Sequence, residues 1–332
     1  MIILGIDTSC DDTSAAVLRD GTEVLSNLVS SQVELHSLFG GVVPEIASRK
    51  HVELIDVIFN RALSEAGLSL GQVDALACTN GPGLIGSVLA GLMFAKGLAL
   101  STGKPLVAVN HVEAHAMSIF LEQQPEFPFL ALIVSGGHTL LLHFEEPCTY
   151  RFIGSTKDDA AGEAFDKIAK FIGLGYPGGG IVEEQARGGD PRFISFPRPM
   201  ADENNYDFSF SGLKTAFVNV VKSQGVTDET RPHLLAAFQE AACDVLCRKT
   251  LKAAQDLGLE RIVVGGGVAA NGRLRELFLQ RADEKKMNVF FPSTSLCADN
   301  AAMVALTGYF YAARNLFSPE TVRGFSRMRR VL

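Results

Sequence analysis

The chain has 332 residues, 47% hydrophobic and 20% charged, with a formal net charge of -7. That composition excludes a disordered protein, exceeds one small core so that two lobes are expected, and gives no support to a long basic nucleic-acid groove. The six cysteines, Cys10, Cys78, Cys148, Cys243, Cys247 and Cys297, form neither a C-x-x-C pair nor a dense framework, so reduced thiols are expected. No basic region precedes the apolar start MIILGIDTSC, and the apolar run Leu84 to Ala95 is short for a membrane span and ends at Lys96. A cytoplasmic protein without a membrane segment is expected.

In chain order, IILGIDTSCDDTSAAVL reads as a strand, a polar turn from Asp7 to Thr13, and a second strand. VLSNLVSSQVEL continues the strand signal. PEIASRKHVELIDVIFNRALSEAGL has helical spacing through Ile46, Val52, Ile55, Ile58, Phe59 and Leu63, with Gly67 marking its end. VDALACTN is a short strand, and GPGLIGSVLAGLMFAKGLALSTG is a turn feeding a helix whose small residues Gly86, Ala90, Gly91 and Gly97 permit close packing. PLVAVN is the next strand, leading into VNHVEAHAMSIF. The order then restarts: FLALIVSGGHTLLLHF is again strand, glycine turn, strand, about 130 residues after the first hairpin. A helix around GEAFDKIAKFIGL follows, then a glycine turn GYPGGG, a central helix, the strand RIVVGGG and the helix GRLRELFLQRADEK. Two lobes of mixed sheet and peripheral helices, each opened by a hairpin, would enclose a cleft.

Three polar turns follow strands: DTSCDDT, SGGHT and GGGVAAN. Glycine lets a backbone approach a phosphate, and turn amides form anion-binding nests. None is a Walker loop, because Gly81 to Ser87 lacks the lysine. His111 and His115, four apart, lie about 40° apart on a helix and share one face. Alone, the pair fits either a metal site or a packed helix face. Cys243 and Cys247 have the same spacing, but their apolar surroundings favour core packing. The basic clusters Arg323, Arg327, Arg329, Arg330 and Arg49, Lys50, His51 read as solvated surface more readily than as an RNA contact.

The ordered segments GIDTSCDDT, GGVVPEIASRKH, GPGLIGS, HVEAH, VSGGHT, DDAAGEAFDK, GYPGGG, FPRP, FSFSGLKT, GGGVAANGRLR and CADNAAM resemble, over essentially the whole chain, the motifs of the TsaD family. This family, once described as O-sialoglycoprotein endopeptidases, comprises bacterial tRNA N6-adenosine threonylcarbamoyltransferases. The family more commonly has glutamate where Asp7 and Asp12 stand, glycine where Ala114 stands and proline where Gly180 stands.

The resemblance implies an α/β fold of two duplicated lobes, as in actin, Hsp70 chaperones and sugar kinases (the ASKHA fold), with a ligand cleft between them. The lobes are expected at 1–127 and 128–332, with a last helix at about 299–315 packing back toward the first. It also implies a metal held by His111, His115 and Asp299, a donor set compatible with Fe(2+) or Zn(2+). By the same transfer, Val134, Ser135, Gly136, Gly137 and His138 form a substrate loop, while Asp166, Gly179, Glu183 and Asn271 contact an adenylate. Asp11 and Asp12 are the expected catalytic carboxylates.

The implied reaction moves threonylcarbamoyl from L-threonylcarbamoyl adenylate to N6 of the adenosine 3′ of the tRNA anticodon, releasing AMP. TsaB and TsaE are the implied protein partners. The alternatives are a metal-dependent glycoprotein endopeptidase, motivated by H-x-E-x-H, and an ATP-dependent binding module. Against the first, a helical Glu113 projects about 180° from the midpoint of the histidines, whereas the glutamate of H-E-x-x-H lies about 80° away. Glu113 is therefore expected to be a structural or surface carboxylate.

Overall fold

The computed structural model describes residues 1–328; Arg329 and Arg330 of the C-terminal basic cluster lie outside them. The chain divides into two compact units, one made of Met1–Gln124 with the segment that begins at Ala298, the other of Pro125–Cys297. The division thus falls at Gln124/Pro125 and is crossed back at Ala298.

The first unit contains β1 (Ile2–Asp7), β2 (Asp12–Arg19), β3 (Glu23–Ser31), α1 (Val33–Ser37), α2 (Pro44–Glu65), β4 (Ala75–Gly81), α3 (Ile85–Thr102), β5 (Leu106–Asn110) and α4 (His111–Met117). The second contains β6 (Phe129–Val134), β7 (Thr139–Glu146), β8 (Thr149–Ser155), α5 (Ala161–Phe171), α6 (Gly178–Gln185), α7 (Ser211–Gln224), α8 (Thr230–Asp256), β9 (Arg261–Gly265), α9 (Gly272–Glu284), β10 (Asn288–Phe290) and α10 (Thr294–Cys297). The chain then returns to the first unit with α11 (Ala301–Ala312).

The sheet orders are β3-β2-β1-β4-β5 and β8-β7-β6-β9-β10. In each, the first three strands run antiparallel as a meander, and the fourth and fifth join parallel to the first. Strand by strand, the second sheet repeats the first, which is the duplication expected from the two hairpins.

The central strands are buried on both faces, and this is why IILGI and FLALIV are unbroken apolar runs instead of alternating patterns. In the first unit, Leu4, Ile6 and Val17 meet Ile55, Phe59 and Leu63 of α2 and Leu92 of α3. The opposite face receives α11. In the second unit, α5 buries Ala161, Ala164, Phe165, Ile168 and Ala169, the i, i+3, i+4, i+7, i+8 stripe of an amphipathic helix. Phe165, Phe196, Phe217 and Phe238 form the aromatic centre of that core. Cys243 and Cys247 pack there as thiols, their ionisation pushed up by burial, for Cys247 to about 12.

Several local expectations need correction. The strand signal of VLSNLVSSQVEL ends at Ser31, and Val33 starts a helical turn. Val52 is 67% exposed and lies off the buried stripe of α2. The last three glycines of GYPGGG are the first turn of α6, not a loop. The small residues of α3 do not form one contact surface: Gly86 faces Ser48, Gly91 faces Thr8, and Gly97 faces open space. At 18 residues and mean hydropathy 1.5, α3 is by length and composition long enough to cross a membrane, so the shorter run read from the sequence understated it. It nevertheless packs on α2 and β4, and Lys96, inside it, donates to the Val322 carbonyl at 3.1 Å.

Candidate functional site

In the first unit β5 delivers the chain to α4. Asn110, the last residue of that strand, caps the helix by accepting from Val112 N at 2.9 Å and Glu113 N at 3.3 Å. All seven residues of α4 are buried. Asp299 stands just ahead of α11, whose cap is Asn300: its side chain accepts from Met303 N at 3.1 Å and donates to the Ala298 carbonyl at 2.9 Å. Two capped helix starts therefore fix the positions of both histidines and of Asp299.

His115 Nε2 lies 3.1 Å and His111 Nε2 3.5 Å from Asp299 Oδ1, and the three ligand atoms fall within 4.8 Å of one another. The imidazoles meet edge to face, centroids 4.6 Å apart. Behind His111, Asp7 Oδ2 is 3.6 Å from Nδ1. A carboxylate on that side favours the tautomer with its proton on Nδ1, so the Nε2 lone pair points toward Asp299. Asp7 is in turn held by Ser9, whose N and Oγ donate to it at 3.1 and 3.3 Å.

Asp11 stands in the turn between β1 and β2, and Asp12 is the first residue of β2. Burial pushes both carboxyls above the ordinary range, for Asp12 to about 7, and the charges of Asp299, Asp11 and Asp7 push Asp12 in the same direction. Two neutral nitrogens and one carboxylate oxygen, with further carboxylates nearby, make a donor set that fits one divalent cation. Cys10, beside them, is held as the thiol by burial and by the neighbouring Asp11, which removes it as a nucleophile.

Glu113 is 1% exposed, so the surface reading of it does not hold. Its Oε2 accepts from the Tyr311 hydroxyl of α11 at 3.1 Å, and burial pushes its carboxyl up to about 8. A neutral acid tied to Tyr311 is a structural link between α4 and α11.

In the second unit, the turn between β6 and β7 is closed by Ser135 N donating to the His138 carbonyl at 2.8 Å and His138 N donating to Ser135 Oγ at 3.1 Å. A Cβ at Gly136 or Gly137 would meet nothing within 4 Å, so this turn presents bare backbone. Gly179, Gly180 and Gly267 are equally open. Asp166 Oδ1 accepts from Gly178 N at 2.7 Å and so pins the start of α6. Glu183 Oε1 accepts from Gly272 N at 2.9 Å, tying α6 to α9.

Asn271 caps α9 by accepting from Leu274 N at 3.0 Å, and its amide donates to Gln239 of α8 at 2.8 Å. The structure thus gathers Asp166, Glu183 and Asn271 around the starts of α6 and α9, each already making a structural hydrogen bond. Two residues escaped the sequence reading. Asp7 was visible in GIDTS but noted only as a departure from the family pattern, and Gln239, 8% exposed on the central helix, carries no sequence signal that sets it apart.

The basic clusters resolve differently. Arg49 and Lys50 pair on the surface with Glu45 and Glu53, whereas His51 is fully buried.

The TsaD family model, described as tRNA N6-adenosine threonylcarbamoyltransferase, matches residues 23–306. A relative from Syntrophotalea carbinolica bearing that description is 50% identical over 315 residues, 94% of this chain and 92% of its own. Another, from Geobacter metallireducens, is 51% identical over 318 residues, 95% and 93% of the two chains. Among solved structures, HypF from T. kodakarensis superposes with a TM-score of 0.65 at 12% identity, covering 94% of this chain and 48% of that one. An activator of 2-hydroxyisocaproyl-CoA dehydratase from Clostridium difficile gives 0.56 at 11% identity, with 95% and 97% covered. At these identities the structural likeness shows the fold alone, that of two duplicated α/β lobes of the ASKHA type.

Proposed function

The chain belongs to the TsaD family and is a tRNA N6-adenosine threonylcarbamoyltransferase forming t6A, and from that premise we propose how its residues divide the reaction. The donor is L-threonylcarbamoyl adenylate, and the acceptor is N6 of the adenosine 3′ of the anticodon. The amine forms a bond to the carbamoyl carbon, the bond from that carbon to the phosphate oxygen breaks, and AMP leaves. The observation that carries this reading is the set of two buried histidines, His111 and His115, with the half-buried Asp299, their ligand atoms within 4.8 Å of one another.

These three side chains would hold one divalent cation, Fe(2+) in first place and Zn(2+) in second, which would supply Lewis acidity toward carbonyl and phosphate oxygens. Asp7 orients His111. Asp11 and Asp12 take up the proton released from the amine. In the second unit, Val134, Ser135, Gly136, Gly137 and His138 form the substrate loop, and the open backbone of Gly136 and Gly137 offers amides to substrate oxygens. Asp166, Gly179, Glu183 and Asn271 form the adenylate-binding group, for which the carboxylates and the amide offer acceptors and a donor. The reaction takes place in the cytoplasm.

The deciding experiment is nucleoside mass spectrometry on unmodified tRNA incubated with the protein, a divalent metal, the adenylate and partner proteins. Absence of threonylcarbamoyladenosine from the complete reaction sinks the proposal. A peptidase would need Glu113 as base, but that group is a buried acid bonded to Tyr311. Glu113→Gln is isosteric and keeps an acceptor for Tyr311, so t6A formation should stay within about threefold of wild type. A drop of several hundredfold would return Glu113 to the chemistry.

TsaB and TsaE are the proposed partners. For TsaB, the support is the outer face of α3, where Ile85, Leu89 and Met93 recur every four residues at 47%, 40% and 49% exposure. Leu89→Asp should weaken that association at least tenfold in a titration, by placing a charge in a desolvated interface, without altering the metal site. Unchanged affinity would move the partner elsewhere.

A further inference from the structure

We propose that His51 is a positioning residue for the reaction: its imidazole clasps the turn from Cys10 to Thr13 from both ends and so aims Asp11 and Asp12. The proposal rests on the role given to those two carboxylates above. His51 projects from α2 and is 0% exposed. Its Nε2 lies 3.0 Å from the Cys10 carbonyl oxygen and its Nδ1 lies 2.8 Å from Thr13 Oγ1. A carbonyl only accepts, so the ring proton must be on Nε2; Nδ1 then keeps its lone pair and accepts the Thr13 hydroxyl proton. Both polar atoms are satisfied in one tautomer, and burial favours the neutral ring that this tautomer requires.

The two residues gripped are the ones that bracket Asp11 and Asp12. Other parts of the unit hold the same turn through its backbone: Leu84 N donates to the Ser9 carbonyl at 2.9 Å, and Gln32 N to the Asp11 carbonyl at 3.2 Å. The clasp from α2 adds side-chain bonds to these and to the β2–β3 ladder, which pairs Asp12 with Ser31 and Thr13 with Ser30. A carboxylate that must meet an amine proton loses rate steeply with displacement, so a group that fixes its backbone acts on turnover without touching substrate.

The test uses His51→Gln and His51→Leu in the full protein with its metal and partners. Glutamine keeps an N–H able to reach the Cys10 carbonyl, whereas leucine keeps only apolar volume. Turnover should fall about threefold for His51→Gln and about a hundredfold for His51→Leu, with KM for tRNA and metal content unchanged. Amide hydrogen exchange should quicken at Asp11 to Thr13 in the same order, without a global change. A packing role predicts the reverse ranking, since a buried site tolerates leucine better than glutamine. The proposal is overturned if His51→Leu turns over as fast as His51→Gln, or if exchange at the turn stays at the wild-type rate in both. A wild-type reaction without product would tell against the assigned function instead, and the exchange rates would then decide on the clasp by themselves.

Discussion

Asp299→Ala should lower t6A formation on the order of a thousandfold while leaving the protein folded, because it removes the one carboxylate of the metal donor set. Asp299 Oδ1 lies within 3.5 Å of both imidazole Nε2 atoms, so no movement of one histidine replaces it. The fold should tolerate the change: α11 is capped by Asn300, not by Asp299, and Asp299 lies outside the helix. Metal analysis of the purified variant should show much less than one ion per chain, with melting unchanged to within a few degrees. A variant that keeps full metal content and full activity would remove Asp299 from the donor set. A variant that keeps the metal but loses activity would leave Asp299 with a role toward substrate instead.

The duplicated sheets were readable in the sequence because their central strands are buried on both faces, and such strands announce themselves as continuous apolar runs between glycine turns. What stayed hidden depended on partners far along the chain. Three successive glycines disfavour a helix by about 1 kcal/mol each relative to alanine, which is why GYPGGG reads as a turn. The helix forms there because Asp166 holds Gly178 N and Val182 is buried.

The same reason explains Glu113. Helical geometry gives its direction relative to the histidines, but its burial and its bond to Tyr311, 198 residues away, are tertiary facts. On α3 the small residues drew attention, yet of its glycines only Gly86 and Gly91 stand close against a neighbouring element. The period-four row Ile85, Leu89, Met93, equally visible in the sequence, is the face left in solvent. In the site, the histidine spacing pointed to a shared face, whereas Asp7, more than a hundred residues upstream of His111, could be linked to it only once β1 and β5 were seen flanking β4.

That sheet arrangement makes the metal site depend on a residue with no side chain. α11 lies so close on β1 that a Cβ at Gly5 would stand 2.4 Å from the Ala301 carbonyl oxygen and 2.6 Å from Ala305 N. Both are backbone atoms of one helix, so the clash cannot be relieved by a rotamer change. Gly5→Ala must push α11 outward, and with it Asp299, two residues ahead of Ala301.

The expected cost is about 3 kcal/mol of stability, the upper part of the range for overpacking, accompanied by weaker metal binding. Gly97→Ala is the matched control, because a Cβ there meets nothing within 4 Å and alanine is the better helix former by about 1 kcal/mol; it should be neutral or stabilising. Urea unfolding and metal titration of the two variants separate the causes. If Gly5→Ala loses stability but binds metal as wild type does, α11 can shift without carrying Asp299, and Asn300 alone fixes the ligand. If both fall together, the close approach at Gly5 is what holds the carboxylate against the histidines.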